Sequence, residues 1–582
     1  MSHPYEVKEY DVIVIGAGGA GLRAAIEVSS TGLNVALVCK SLLGKAHTVM
    51  AEGGAAAALG NVDKHDSWQI HFKDTMSGGK YMNHWRMAQL HAQEAADRVR
   101  ELERWGAVFD RTKEGKINQR PFGGHTCRRL AHVGDRTGLE LIRTLQDRGV
   151  HMGIDVFMEC TITRLLKDGE RVSGAFGYWR ESGRFIVFKA KAIVLATGGI
   201  GKAWKVTSNS WEYTGDGQVL AYDAGAELID SEFVQFHPTG MVWPPGVKGL
   251  LITEAVRGEG GLLTNSEGER FMEKYDPARM ELSTRDIVAK AINREVKEGR
   301  GTPHGGAFLT IAGTKTRDGL EQNTPERIKK KLPSMYHQFK ELADVDITKE
   351  PMEVGPTCHY TMGGVKVDPE SQMTKVPGLY AAGEVSGGMH GANRLGGNSL
   401  SDLLVFGRRA GLSAVEFANA NGSVSINDDD VRDAAKEMEA YFERGEQAGC
   451  ENPYEIHREL QELMQSKVGI VRVQQELESA VGEIRQLQER ANNVGITGSR
   501  QFNPGWHLCR DLKNLLTVSE AVARAALARN ESRGGHTRED YPEYDPYWES
   551  VNSIVLKNAD GSMHLEHRAK PEMPEDLQKL LK

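Results

Sequence analysis

Three glycines in Gly16-Ala17-Gly18-Gly19-Ala20-Gly21 fall at the spacing G-x-G-x-x-G. Between an apolar β-branched run and a helix-forming one, that spacing cradles the pyrophosphate of a dinucleotide. Gly16 makes the tight turn, Gly18 lets the backbone approach the phosphates, and Gly21 lets the following helix pack close with its N-terminus toward the charge. The end of the next strand usually offers an acid to the ribose, but here it reads Val38-Cys39-Lys40-Ser41. NAD binding by that route is disfavoured, and Lys40 and Ser41 are candidate partners for phosphate or ribose oxygens instead. The six cysteines (Cys39, Cys127, Cys160, Cys358, Cys450 and Cys509) are nowhere closer than the 33 residues between Cys127 and Cys160. That spacing excludes CxxC zinc sites and ferredoxin-type cluster runs. It also speaks against a disulfide framework and for a reducing compartment. Any redox chemistry must then be carried by an organic cofactor, because no side chain accepts a hydride.

The elements that would position these residues are legible as hydrophobic runs. Asp11–Ile15 is a short apolar run of the kind a buried parallel strand requires. Leu22–Ser30 follows as a helix with Gly32 at its C-terminus, and Asn34–Val38 as the second strand, a βαβ opening. Ala192–Ala196 leads into Thr197-Gly198-Gly199, and Gly378–Ala382 into Gly383-Glu384. These three strand-to-glycine junctions predict one nucleotide-binding sheet interrupted by insertions. Residues 231–354 contain no such junction and carry mixed helices such as Arg285–Lys297, so they read as an inserted domain. Beyond Leu412 helical periodicity takes over. In Leu460–Leu487 apolar residues, Val471 among them, recur at mostly three- or four-residue steps, and Asp511–Arg529 is a second such helix. Pro453 and Asn503-Pro504-Gly505 mark element ends, and the tail from Glu531 is polar and turn-rich. The fold class expected is α/β: a Rossmann-like domain (1–230 and 355–411) with an inserted α+β capping domain (231–354), a helical domain (412–530) and a C-terminal tail (531–582).

With 72 basic and 80 acidic side chains in 582 residues the net charge is −8, against a general nucleic-acid binder. No run of ~18 apolar residues suits a membrane span. Met1–Glu9 lacks the apolar and Arg/Ser-rich features of targeting segments.

Several motifs follow the glycine loop in a fixed order. They are His47-Thr48-Val49-Met50-Ala51-Glu52-Gly53-Gly54, Thr214-Gly215-Asp216-Gly217, Gln235-Phe236-His237-Pro238-Thr239-Gly240 and Thr253-Glu254-Ala255-Val256-Arg257-Gly258. Then come Arg285-Asp286, Cys358-His359-Tyr360-Thr361-Met362-Gly363-Gly364, Ala382-Gly383-Glu384, His390 through Leu400 (HGANRLGGNSL) and Arg533 through Asp540 (RGGHTRED). In this order, over nearly the whole chain, the sequence resembles the flavoprotein subunit of succinate dehydrogenase and fumarate reductase.

The resemblance implies FAD bound covalently through His47, with Thr48, Gly53 and Gly54 flanking the link. Asp216, Glu384, Ser399, Leu400 and the loop Gly16–Gly21 would also contact FAD. The substrate would be a four-carbon dicarboxylate, succinate or fumarate, held by His237, Thr253, His359 and Arg394. A hydride would pass to the flavin while Arg285 handles the proton, with Glu254 and Arg257 relaying it outward. Taken singly, His237 also reads as a turn residue, His359 as a satisfied core histidine, Arg394 as a surface partner of Asp402, and Arg285-Asp286 as a helix-start ion pair. The partners implied are membrane-anchor subunits together with an iron–sulfur subunit. They would place the chain in the cytoplasm, on the inner face of a bacterial membrane. The same residues would serve the reverse reaction, fumarate reduction. An L-aspartate oxidase shares the fold but binds FAD without a covalent link. Two stretches depart from the commonest pattern, Leu42–Ala46 before the flavin link and a short Arg120–Gly138. Both are expected to lie near the flavin without touching the catalytic positions.

Overall fold

The computed structural model describes residues 5–582; residues 1–4, part of the Met1–Glu9 segment read above, lie outside the described residues. The three strand-to-glycine junctions do lie side by side. Leu379–Ala381, Ala192–Leu195, Val12–Ile15, Val35–Val38 and Asp155–Phe157 form, in that spatial order, a five-stranded parallel sheet. Val12–Ile15, Val35–Val38 and Ala192–Leu195 are buried along their whole length, as expected when helices cover both faces of a parallel sheet. The first helix spans Gly19–Ser30, beginning three residues earlier than the apolar pattern indicated. Its opening residues are glycine and alanine, which leave the helix N-terminus bare for a ligand. The long helix Asn398–Ala420 packs directly on it. A Cβ at Gly407 or Gly411 would lie 2.6 Å from the carbonyl oxygen of Ala20 or Ala24, so the close crossing depends on that glycine pair.

A second, four-stranded sheet joins Val234–Met241, Met352–Thr361, Ala307–Thr310 and Leu262–Thr264. With the helix Arg285–Lys297 it encloses a core drawn entirely from residues between Met241 and Val354. This core is separate from the one around the parallel sheet.

Two readings from the sequence need correction. Leu460–Leu487 is not one helix but parts of two, Pro453–Lys467 and Gln474–Ala491, and Val471 lies in the break. Both helices bury their apolar residues in one core shared with Pro504–Ala528. The turn brings Arg472 inside, where Nη1 donates to the Glu232 carbonyl at 2.8 Å and lies 2.7 Å from His536 Nδ1. Asn452-Pro453 and Asn503-Pro504 open helices with an asparagine N-cap and proline in the first turn, so Pro504–Ala528 starts two turns before Asp511. The tail is also more ordered than its polarity suggested. Val551–Lys557 and Met563–Ala569 form a hairpin whose first strand pairs with Leu228–Ile229, which in turn pairs with Gly364–Val365. The hairpin therefore grips both strands through which the chain enters and leaves the inserted region.

Candidate active site

One groove runs from the Gly16–Gly21 loop to Thr253, Glu254 and Arg285 of the inserted region. Its lining offers a dinucleotide loop at one end and a cluster of histidine, arginine and glutamate side chains at the other. Every candidate residue read from the sequence lines it except Gly21 and Arg257. Gly16 adopts φ +110°, and a Cβ on Gly21 would lie 1.7 Å from the Gly16 carbonyl oxygen. Gly21 thus acts from behind, by letting the helix close on the loop.

At the nucleotide end, Lys40 spends its three protons on the protein. Nζ donates to Thr214 Oγ1 at 2.6 Å and to Asp216 Oδ2 and Asp511 Oδ1, each at 2.9 Å. Burial alone would lower its pKa, but the two carboxylates outweigh that and raise it. Lys40 therefore stands at the groove as a fixed cation, with no proton left over for a phosphate in this arrangement. Asp216 also accepts from Thr214 and Asn514. Glu384 is buried, and its Oε1 accepts from the Thr361 amide at 3.0 Å; burial pushes its pKa up to about 7.

His47 opens a short 3₁₀ turn, His47–Met50, and lines the groove. Burial first, and the charge of Arg394 second, push its pKa down to about 4, so the imidazole is neutral and nucleophilic. Nε2 lies 3.3 Å from Asn209 Nδ2, while buried Nδ1 has no partner. An orphaned ring nitrogen on a residue that lines the groove, together with the glycine cradle, fits FAD attached at this residue.

The other end brings together residues from both parts of the chain. His237 and His359 face one another with ring centroids 5.1 Å apart. His359 Nδ1 is 2.8 Å from Ser208 Oγ, and His237 Nδ1 is 3.0 Å from the Thr239 carbonyl. Burial first and neighbouring charged groups second hold both imidazoles well below their ordinary pKa. Arg394 is 3% exposed, not a surface residue, and Asp402 faces His390 at 3.7 Å instead. Arg394 Nη1 donates to Ser399 Oγ at 2.7 Å and its Nε is unpartnered. Arg285 does not pair with Asp286. Its Nε donates to Glu254 Oε2 at 3.0 Å and its Nη1 to Gln235 Oε1 at 3.2 Å, whereas Asp286 faces Lys80 at 4.0 Å. Arg257 Nη2 lies 3.6 Å from the same Glu254 oxygen. Burial would raise the Glu254 pKa, but the two guanidiniums bring it below the usual value. Glu254 is therefore a carboxylate buried between two cations.

The short segment Arg120–Gly138 does reach the catalytic positions, contrary to expectation. The Gly123 amide donates to Glu254 Oε1 at 2.7 Å, Phe122 lines the groove, and His125 Nε2 lies 2.8 Å from the Gly396 carbonyl. Strand pairing of Gln119–Arg120 with Leu130–Ala131 folds it back over the cleft, a tertiary contact that sequence spacing does not report. Three further residues went unread. Gln235 joins Arg285 to the Arg394 carbonyl, to which its Nε2 donates at 2.7 Å; its one signal was a place two residues before His237 on a strand. Glu52 lines the groove with Oε2 unpartnered, and burial, with Asp135 nearby, raises its carboxyl well above the usual range. Tyr360 adjoins His359 and stacks on Arg394.

Residues 11–400 match the FAD binding domain family, and residues 457–577 match the fumarate reductase flavoprotein C-terminal family. A subunit of the fumarate reductase (CoM/CoB) of Methanothermobacter marburgensis is 47% identical, over 95% of this chain and 97% of that protein. The succinate dehydrogenase flavoprotein subunit of Coxiella burnetii is 39% identical, over 93% of each. Among solved structures, Mycobacterium smegmatis Sdh1 in complex with UQ1 shares 57% identity at a TM-score of 0.87, covering 98% of this chain and 96% of that one.

Proposed function

This chain belongs to the flavoprotein-subunit family of succinate dehydrogenase and fumarate reductase, and we propose that it oxidises succinate to fumarate using FAD linked to His47. One observation carries the reading: the dinucleotide loop, His47, the two histidines and the three arginine and glutamate groups converge on a single groove. The Gly16–Gly21 loop, Asp216, Glu384, Ser399 and Leu400 would hold FAD, which when bound supplies the hydride acceptor.

His237, Thr253, His359 and Arg394 hold the two carboxylates of the substrate. The forked guanidinium of Arg394 suits one of them, and its free Nε is available to it. Arg285 takes the proton from the methylene next to the one that loses hydride. An arginine is protonated near neutral pH, so it must first give up a proton. The ion pair with Glu254 supplies the acceptor, and Arg257, on the far side of that carboxylate, leads away from the cleft. Gln235 and Glu254 fix the Arg285 guanidinium at two points, so its free edge is aimed before substrate arrives. The inserted region carries His237, Thr253, Glu254 and Arg285, while His47 and Arg394 sit on the parallel-sheet side. Closure between them excludes water from the reacting carbons.

The reverse reaction, fumarate reduction, is favoured as a second reading by the relative named as a fumarate reductase. The same residues serve both directions, and the partner's potential decides between them. We further propose membrane-anchor subunits together with an iron–sulfur subunit as partners, with the chain peripheral on the cytoplasmic face. In support, the cysteines are dispersed, and among the described residues none of the side-chain groups could hold a metal ion and no helix is long and apolar enough to cross a membrane.

The test is a denaturing gel of the purified complex, scanned for flavin fluorescence, with succinate-driven dye reduction measured on the same sample. A fluorescent band at this chain that disappears in His47→Ala supports the link. Full flavin content with a dark band removes it. Absence of succinate- and fumarate-dependent turnover in flavin-replete complex removes the catalytic reading.

A further inference from the structure

The guanidinium of Arg394 lies over an aromatic ring. Its Cζ is 4.2 Å from the Tyr360 centroid, well inside the ~6 Å over which a ring face holds a cation. Among the described residues, one side-chain hydrogen bond also restrains the group, from Nη1 to Ser399 Oγ. A fork held at one point can still rotate about it, and bidentate recognition of a carboxylate depends on the plane of the fork. The ring supplies the missing restraint.

The ring is itself pinned from behind. Tyr360 Oη lies 3.2 Å from His390 Nε2, and the two rings meet edge-on with centroids 5.2 Å apart. His390 Nε2 in turn faces Asp402 Oδ2 at 3.7 Å. Tyr360, His390 and Asp402 are 7%, 4% and 2% exposed, and neither His390 nor Asp402 lines the groove. A buried polar trio is costly unless its members satisfy one another. Here one ring nitrogen, His390 Nε2, meets both the Tyr360 hydroxyl and the Asp402 carboxylate, while the buried Nδ1 has no partner.

We propose that Tyr360 is a positioning residue of the dicarboxylate site: anchored by His390 and Asp402, its ring sets the plane in which Arg394 meets a substrate carboxylate. This rests on the reading of Arg394 as a carboxylate binder. Phenylalanine at this position would keep the stacking face and lose the anchor. An aliphatic residue would lose both.

The experiment uses the assembled, flavin-containing complex with Tyr360→Leu, Tyr360→Phe and Arg394→Gln. It reads flavin content, kcat and KM for succinate, and the inhibition constant of malonate, a dicarboxylate that cannot react. Tyr360→Leu should raise KM and the malonate constant tenfold or more, with a smaller fall in kcat and flavin content unchanged. Tyr360→Phe should recover most of that loss. Arg394→Gln should raise both constants further. If Arg394→Gln raises them and Tyr360→Leu does not, the positioning role is overturned while the carboxylate reading stands. If Arg394→Gln leaves them unchanged, the carboxylate reading fails and the proposal with it. Should Tyr360→Leu not assemble, Asp402→Asn decides. A threefold or greater rise in both constants supports the anchor, and no rise overturns it.

Discussion

Arg285 Nε donates to Glu254 Oε2 at 3.0 Å inside a cleft where both side chains are less than a tenth exposed. Arg257 approaches the same oxygen at 3.6 Å. Two guanidiniums sharing one carboxylate keep Glu254 ionised, and an ionised carboxylate is the group that can accept a proton from arginine. This geometry suits the acid–base role proposed for the pair, where the sequence also allowed an ordinary helix-start pair with Asp286.

Arg285→Lys should retain FAD and lose turnover by about 10²–10⁴-fold, the usual weight of a positioned acid–base group. Lysine keeps the charge but lacks the rigid planar fork that reaches Glu254 through Nε and Gln235 through Nη1. Glu254→Gln, which removes the proton acceptor, should fall into the same range. Visible flavin absorbance and steady-state rates decide the matter. Turnover within tenfold of wild type in Arg285→Lys would falsify the proton role.

Gly21→Ala should abolish flavin retention. The added methyl would sit 1.7 Å from the Gly16 carbonyl oxygen and 3.3 Å from Ala196 Cβ, so the helix must move off the loop at a cost of about 1–3 kcal/mol or more. The ratio of flavin to protein absorbance reads this directly, and a normal ratio would remove the packing role assigned to Gly21. Gly32→Ala, with open space around it, controls for backbone strain, since Gly32 shares the positive φ of a helix C-terminus.

Asp511→Leu should lower flavin content more than it lowers turnover per bound flavin. Asp511 lies on the helix Pro504–Ala528 and bonds Lys40, which also holds Asp216 in the groove. Removing Asp511 leaves Lys40 paired with Asp216 but takes away one of its three acceptors, and a buried donor left without a partner costs about 1–3 kcal/mol. The flavin ratio across purified variants checks it. Unchanged flavin content would mean that the helical region only covers the core.

How much of this was legible follows from the range of each interaction. The parallel sheet and the glycine loop could be read because strand, glycine turn and helix are local patterns, each complete within about thirty residues, whereas most of the groove lining was legible only through the family resemblance carried by the ordered motifs. Contacts that close through tertiary packing could not. Gly123 reaching Glu254, Asp402 turning to His390 and away from Arg394, and Asp511 holding Lys40 each join segments that no periodicity connects. The break around Arg472 did leave a local trace: along the series that carries Val471, the apolar steps Leu463–Val471 and Val471–Leu477 are eight and six residues, not three or four, with Gly469 in the first.

Asp230 gives the last prediction, a pH-dependent stability at the point where the chain enters the inserted region. It holds φ +52°, and its carboxyl accepts from the Ser553 amide at 2.9 Å and from Asn552 Nδ2 at 2.6 Å, both on the C-terminal hairpin. Burial first, and the Glu232 charge second, raise its pKa from 3.8 to about 7. Between those two values the folded chain holds a proton that the unfolded chain has released. This contribution to stability is therefore complete below about pH 4 and declines as pH rises to about 7. Above that it stays constant, at a total loss of about 4 kcal/mol at 1.36 kcal/mol per pKa unit. Asp230→Asn cannot ionise, tolerates the left-handed backbone, and can pair with Asn552 if that amide turns its oxygen inward. The difference in denaturation midpoint between wild type and variant should therefore move steadily in the variant's favour from pH 4 to pH 7, then level off. A difference independent of pH over that range would mean that Asp230 stays ionised throughout, and that the hairpin holds the hinge through a charged carboxylate.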